Sequence, residues 1–377
     1  MVESYSEIKL AVIGASSGQL PICLKAKEMG IEVYCFSWPK DAICKDVVDK
    51  YYPISILEKD LIVEKCRGLH VDGVVSNASD LTAEVVAYVA EKLGLNGTPF
   101  RVLEKLRDKF VVRQLSNKIH GLSKLSFYKY EGIDNKIYPC VVKPCIGSAK
   151  SGVSFANNFE EFSKAIQYAI DSSESDIIVE EFIEGKEFSV ESISYKGEHY
   201  VLQITEKDSS SSPHFVELGH HQPANISNEL RNKIVSIVTV LLKEIGYTNG
   251  ASHVELKIKG EEIFLIEVNL RGGGDNISNV LVQLSSGYDY LRSMIEVSLG
   301  TFNKLWKISE PAYAGIYYLC KQTEQYLSFF KNANREVWFV DGEIKNINLK
   351  ESHSNYERDG YLIYKSNHKI IPKEINI

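Results

Sequence analysis

The chain has 377 residues, a length that at roughly 150 residues per domain favours two or three compact units and excludes a single small module. Hydrophobic residues at 44% and charged residues at 25% match ordinary globular usage, which excludes a disordered or fibrous protein. A formal charge of −7, from 43 basic against 50 acidic side chains, argues against a broad nucleic-acid surface while leaving room for a small basic pocket.

Residues 8–13 form an apolar run that ends at Gly14-Ala15-Ser16-Ser17-Gly18, followed by a helical pattern from Gln19 that stops at Gly30. Strands are predicted over 31–36 and 72–76, with an amphipathic helix over 81–93 closed by Gly94. Strands alternating with helices imply a Rossmann-like parallel sheet in the first hundred residues. Its first turn lacks the G-x-G-x-x-G pattern, and strand two ends Cys35-Phe36-Ser37 with no acid for a ribose, so a dinucleotide site is not expected. No Walker loop occurs either.

A turn-rich joint, Asn96-Gly97-Thr98-Pro99, leads into a helix through Asp108 and Lys109 and a strand over 138–143. A helix over 159–170 and strands over 177–182, 187–195 and 199–206 follow, the last two meeting at Lys196-Gly197. A polar break at 208–213 precedes a long helix over 228–245 and a hairpin over 254–268. From Thr301 onward, short strands and an Asp341-Gly342 turn suggest a small β-rich unit. The predicted domains are 1–98, 99–300 and 301–377.

The seven cysteines are scattered, with no C-x-x-C pair, and read as buried free thiols. The N-terminus carries acids where a secretory leader has basic residues and an apolar run, and the stretch 234–242 is far shorter than the roughly 20 residues of a membrane span. The expectation is a cytoplasmic protein without membrane or nucleic-acid partners.

In the hairpin 254–269, alternation puts Glu255 and Glu267 on one face. With a three-residue loop at 260–262, Lys259 pairs with Ile263 and Glu255 sits opposite Glu267, with Asn269 on the same face. Directly opposed like charges repel, and a cation between them resolves this; two carboxylates and an amide oxygen suit Mg²⁺. An exposed acidic face is the plain alternative. Arg271-Gly272-Gly273-Gly274 then supplies a guanidinium and a pliable backbone suited to an anion, as against a merely flexible loop. Upstream, Lys143 ends a strand before a small-residue loop, 147–152, whose N–H groups can cradle phosphate oxygens, unless it is simply a hairpin tip. Residues 180–190 join two strands through a short acidic bend that can offer backbone groups to a purine edge and an acid to a ribose, or be an ordinary turn. His214, His220 and His221 have no zinc-like partners nearby in the sequence.

Taken in this order, these residues resemble the ATP-grasp superfamily, from about Lys9 to Gly300. Residues 215–220 with Pro223, and His253-Val254-Glu255, resemble its carboxylate–amine ligases, which include amino-acid ligases. The resemblance implies ATP between two α+β subdomains. Lys109 and Lys143 would contact phosphates under the loop of Gly147, Ser148 and Gly152; Glu180 and the backbone of Glu181, Phe182 and Ile183 would hold adenine; Glu187 would hold the ribose. Glu255, Glu267 and Asn269 would bind one or two Mg²⁺, or Mn²⁺ in their place. Arg271 would be the catalytic residue facing the transferred phosphoryl group. Glu217 could pair with an ammonium and His220 with a carboxylate on a substrate-facing loop, or that loop is simply a solvated one; Arg271 and Gly273 would join them against the small-molecule carboxylate and amine. Family loops often carry another glycine where this chain has Ala149. The implied reaction is amide formation through an acyl phosphate with release of ADP and phosphate. A carboxylase of the same fold and a non-catalytic nucleotide-binding protein are the alternatives. A homodimer is compatible with the sequence.

Overall fold

The computed structural model describes residues 7–147, 151–210 and 215–372. Ser148 lies outside the described residues, as does the centre of the polar stretch before Phe215. The first sheet is parallel, ordered β3-β2-β1-β4, from β1 (Lys9–Ile13), β2 (Glu32–Phe36), β3 (Lys50–Tyr52) and β4 (Gly73–Val75). Its helices are α1 (Leu20–Glu28), α2 (Lys59–Leu69) and α3 (Asp80–Leu93). Both faces are apolar because both are covered: Leu10 and Val12 pack with α1, Ala11 and Ile13 with α2 and α3. Ser79 caps α3 by accepting from Thr82 N–H, and Gly94 ends it at φ +68°, where a Cβ would be strained. β3 and α2 add to the elements expected from the sequence.

The joint at 96–99 opens onto two short helices, α4 (Phe100–Leu106) and α5 (Lys109–Ser116), rather than one. Asp108 divides them as an N-cap, its Oδ1 accepting from Phe110 N–H at 2.8 Å. A small antiparallel sheet ordered β5-β8-β6-β7 follows: β5 (Phe127–Lys129), β6 (Cys140–Pro144), β7 (Ser154–Ala156) and β8 (Ile177–Glu181), with α6 (Phe159–Ser172) packed on it.

The remaining strands form one eight-stranded sheet ordered β13-β12-β9-β10-β11-β14-β16-β15. They are β9 (Lys186–Tyr195), β10 (Glu198–Ser209), β11 (Glu217–Gln222), β12 (Gly250–Lys259), β13 (Glu262–Asn269), β14 (Tyr313–Leu319), β15 (Phe339–Ile344) and β16 (Gly360–Ser366). α7 (Asn228–Glu244) covers one face, burying Ile234, Val238 and Leu241 against Phe188, Val190, Val254, Leu256 and Leu265. α8 (Val282–Ser286) and α9 (Tyr290–Leu299) follow, and α9 packs beside α1 in the core that reaches the first sheet. α10 (Leu327–Asn332) lies against the last strands.

Three expectations change. β10 runs on through Ser209 into the stretch read as a break. Residues 217–222, read as a loop, are a strand paired on both sides. The β-rich residues after 301 are joined to the large sheet, where a free-standing arrangement was expected: β14 pairs with β11, Ile316 opposite His220, while the last strands keep a core cluster of their own, and Asp341-Gly342 lies inside β15 rather than at a turn. The seven cysteines are free and buried, as expected. Among the described residues no helix is long and apolar enough to cross a membrane.

Because β11 is an interior strand only when β14 is present, a chain ended after residue 305 is expected to lose cooperative folding. A single sharp melting transition and full solubility for that truncated chain would contradict a continuous sheet.

Candidate active site

Glu255 and Glu267 do face each other, by a route other than the expected one. The hairpin turns through Gly260-Glu261 alone, so Lys259 pairs with Glu262, and a bulge that leaves Ile266 unmatched then restores Glu255 opposite Glu267. Without the bulge the same count would put Ile266 opposite Glu255 and turn Glu267 to the α7 side. Asn269 shares the face, with its Nδ2 3.5 Å from Glu267 Oε2.

The protein itself supplies cations for this acidic face. His253 Nε2 lies 3.0 Å from Glu255 Oε1, and its Nδ1 lies 2.8 Å from Glu191 Oε1, which also accepts from Ser189 Oγ. Burial opposes charge on His253, but Glu191 and Glu255 outweigh it and push its pKa up to about 9. Lys207, with a side chain 2% exposed, reaches Glu217 at 2.8 Å, Glu187 at 3.0 Å and Glu255 at 3.5 Å. Burial opposes its charge too, yet Glu217, Glu255 and Glu187 hold the ammonium well above its ordinary pKa. The sequence reading missed Lys207. Counting back from the Lys196-Gly197 turn would set Glu206 opposite Glu187, and a bulge between Val201 and Gln203 puts Lys207 there.

Lys143 ends β6 with its Nζ 2.9 Å from Glu180 Oε2, and Glu180 Oε1 meets Arg113 Nε at 2.8 Å. Burial lowers the pKa of Lys143, and Glu180 works against that. The Glu180 carboxylate, expected at adenine, is instead spent on two cations in the interior. The Glu181 and Phe182 N–H groups donate to the Ser126 and Pro139 carbonyls, both at 2.9 Å, and the Ile183 carbonyl accepts from Lys257 Nζ at 3.3 Å. Beside them the Phe182 ring lies 4.7 Å from Phe155 and 5.7 Å from Phe215, with Lys257 Nζ 4.8 Å above Phe182. This aromatic wall stands where the small sheet, the linker and the large sheet meet. Lys109 Nζ donates to the Gly147 carbonyl at 2.8 Å. Gly152 has φ +71°, and a Cβ there would come within 2.8 Å of Pro144 Cγ, so the loop needs glycine at that point.

Arg271 leaves β13 and pairs with Asp80, at the start of α3, through Nε at 2.8 Å and Nη2 at 3.3 Å. Burial opposes its charge, but Asp80, Glu267 and Glu255 outweigh it. The first two glycines after it, Gly272 and Gly273, are required by protein contacts. A Cβ on Gly272 would collide with Asn77 Oδ1 and Ser278, and one on Gly273 would lie 2.7 Å from His253 Nδ1 and 3.1 Å from Glu191 Oε2. What approaches this backbone closely is the N-terminal unit and His253, where an anion was expected.

Glu217 and His220 also have protein partners. His220, fully buried, lies 3.3 Å from Glu217 and 3.6 Å from Asp275 through Nε2. Asp275 is held by Arg358 at 2.7 and 3.0 Å, and the Arg358 guanidinium stacks 3.5 Å over Tyr318. Glu217 thus lies between Lys207 and His220, and both members of the pair expected at an ammonium or carboxylate are held by contacts within the protein.

The large sheet thus brings Glu187, Lys207, Glu255, Glu267 and Asn269 to one face, the floor of the site, and Lys143 on the small sheet is tied to it through Glu180 and Arg113. A family profile described as the ATP-grasp domain matches residues 136–279, which hold that floor. The chain carries an ATP-grasp domain. It is 23% identical to the formate-dependent phosphoribosylglycinamide formyltransferase of a Nitratiruptor species over 317 residues, 78% of either chain. It is 25% identical to the alanine–anticapsin ligase of Bacillus subtilis over 289 residues, 66% of this chain and 61% of that one. Its fold is that of the L-amino acid ligase of Bacillus licheniformis, with a TM-score of 0.78 at 22% identity over 96% of this chain and 94% of that one. The N5-carboxyaminoimidazole synthetase of Staphylococcus aureus, complexed with ADP, superposes with a TM-score of 0.74 at 16% identity, again over 96% and 94%. The Rossmann-like unit, the small sheet and the large sheet of this ATP-grasp protein all lie within those superpositions.

Two outcomes are expected here. Gly272→Ala, which drives a methyl group into Asn77, should lower stability by about 1–3 kcal/mol, and an unchanged melting temperature would show that the N-terminal unit is not docked on this loop. For His220, Glu217 and Asp275 win over burial and raise the pKa above the ordinary 6.5. The stability it confers is present below that pH and is lost as pH rises through the folded value. The stability difference between wild type and His220→Gln should accordingly shrink with rising pH; a difference that grows would refute the paired imidazolium.

Proposed function

We propose that this ATP-grasp enzyme is an ADP-forming ligase that joins the carboxylate of an amino acid or related small metabolite to an amine through an acyl phosphate. The observation that carries the reading is the pairing of Glu255 with Glu267 across the hairpin, with Asn269 beside them. All three are oxygen donors, the set a hard divalent cation takes, so Glu255, Glu267 and Asn269 would hold Mg²⁺. Bound there with the nucleotide, it supplies charge neutralisation for the transferred phosphate.

A carboxylate does not acylate an amine because its leaving group would be oxide. Phosphorylation by ATP turns that oxygen into phosphate, which the amine then displaces, giving an amide, ADP and phosphate. Lys143, kept in place by Glu180, and Lys109 bind phosphate oxygens. Glu187, oriented by Lys207, accepts from the ribose. The Phe155, Phe182 and Phe215 rings would flank the base, and the Ile183 N–H would give it an edge contact, the Glu181 and Phe182 N–H groups being held by Ser126 and Pro139. Arg271, fixed by Asp80 and by the Gly272 carbonyl, would stabilise charge on the phosphoryl group as the bond to ADP breaks. The formyltransferase and alanine–anticapsin ligase relatives favour carbon–nitrogen ligation over the carboxylase reading.

With ATP and the right carboxylate, hydroxylamine should trap a hydroxamate, and ¹⁸O from that carboxylate should pass into the released phosphate. Release of AMP and pyrophosphate would reject the mechanism, and label transfer from bicarbonate alone would favour the carboxylase. Glu267→Gln should abolish ADP formation while leaving the fold intact; wild-type turnover in that variant would remove Glu267 from the site.

A further inference from the structure

Arg113 lies on α5, outside the cleft, and is the largest fully buried side chain among the described residues. Its guanidinium serves two parts of the fold. Nη1 donates to the Leu265 carbonyl at 3.0 Å and Nη2 to the Ile266 carbonyl at 2.8 Å. Nε and Nη2 also meet the two oxygens of Glu180, at 2.8 and 3.1 Å.

Leu265 and Ile266 are consecutive, and β13 is the edge strand of its sheet. In a regular strand successive carbonyls point to opposite edges, so at most one of the two could face α5 and the other would be taken up in the ladder. One fork can collect both only because the chain is bulged at Ile266, where the extra residue is left out of the pairing. The group that arrives is planar, charged and rigid, matched to two adjacent carbonyls on one side and a carboxylate on the other. The same bulge decides that Glu267 and Asn269 share a face with Glu255.

We propose that Arg113 is a positioning residue for the reaction. By capping the Leu265 and Ile266 carbonyls it pins the bulge and so holds Glu267 and Asn269 in register with Glu255, and through Glu180 it fixes Lys143 on the small sheet. This rests on the reading of Glu255 and Glu267 as cation ligands. A role limited to neutralising Glu180 would be met by any cation at this position. The bulge-pinning role would not, because an ammonium is a point donor that cannot reach two carbonyls and a carboxylate together.

Arg113→Lys separates the two. In the full-length protein, ADP binding in excess chelator is measured by calorimetry, and Mn²⁺ binding to the ADP-loaded protein by electron paramagnetic resonance, with Glu267→Gln alongside. Arg113→Lys should remain folded and bind metal-free ADP much as wild type does, while its Mn²⁺ affinity falls by about tenfold or more, the usual cost of losing an outer-shell partner. Wild-type Mn²⁺ affinity in Arg113→Lys, with that of Glu267→Gln lost, would overturn the inference and leave the metal reading intact. Wild-type Mn²⁺ affinity in Glu267→Gln would instead overturn the metal reading itself. Should Arg113→Lys not fold, Arg113→Gln is read in the Glu180→Gln background, where no carboxylate is left to neutralise: Mn²⁺ binding weaker than in Glu180→Gln alone supports the inference and equal binding overturns it.

Discussion

The cleft depends on one buried ammonium. Lys207 sits among Glu187, Glu217 and Glu255, carboxylates from three different strands of one sheet face, and without it those strands would bring three negative charges together away from water. Removing one partner of such a cluster leaves charge uncompensated at a typical cost of about 3–5 kcal/mol. The cation therefore holds the architecture as well as the charge balance. It joins the acid assigned to the ribose, the acid assigned to the metal and the acid that supports the inner wall, so a shift in any of the three strands is felt by the other two.

Around that centre the remaining charges are arranged in pairs that each cross a boundary between parts of the fold. Arg113 and Glu180 connect α5 to β8 of the small sheet, and Arg358 with Asp275 connects the last strands to the loop after β13. Arg271 with Asp80 connects that loop to the N-terminal unit. In each case the two side chains come from distant parts of the chain. The Rossmann-like unit serves as a wall: Asn77 and Asp80 meet Arg271 and Gly272 directly, and its first glycine turn holds Gln19 on the Asn77 carbonyl at 2.6 Å.

Much of the hairpin was legible in the sequence, and its register shows why legibility has a limit. Period-two alternation correctly placed Glu255 and Glu267 on one face and opposite each other, with a loop one residue longer than the real one. The bulge at Ile266 adds back the residue that the shorter turn removes. On β9 and β10 no such compensation exists, so counting from the turn finds Glu206 where Lys207 stands. A bulge has no sequence signature of its own here. It is stabilised by partners such as Arg113 that come from elsewhere in the chain.

The sequence alone determined the local facts: parallel α/β units at the start, antiparallel strands in the middle, helices ended by Gly30 and Gly94, and lysine, carboxylate and arginine types in the order that resembles an ATP-grasp protein. These depend on neighbours a few residues apart, through periodicity, capping and turn chemistry. Only the tertiary structure decided which of those groups are exposed to a ligand and which are already paired. Glu180, Glu217 and His220 look available in the chain and are held in the fold by Arg113, Lys207 and Asp275. The strands after residue 301 look like a separate unit and complete the same sheet. Each of these outcomes is set by contacts between segments far apart in the chain, where burial removes the water that would otherwise satisfy a charge, and the nearest opposite charge in space takes its place.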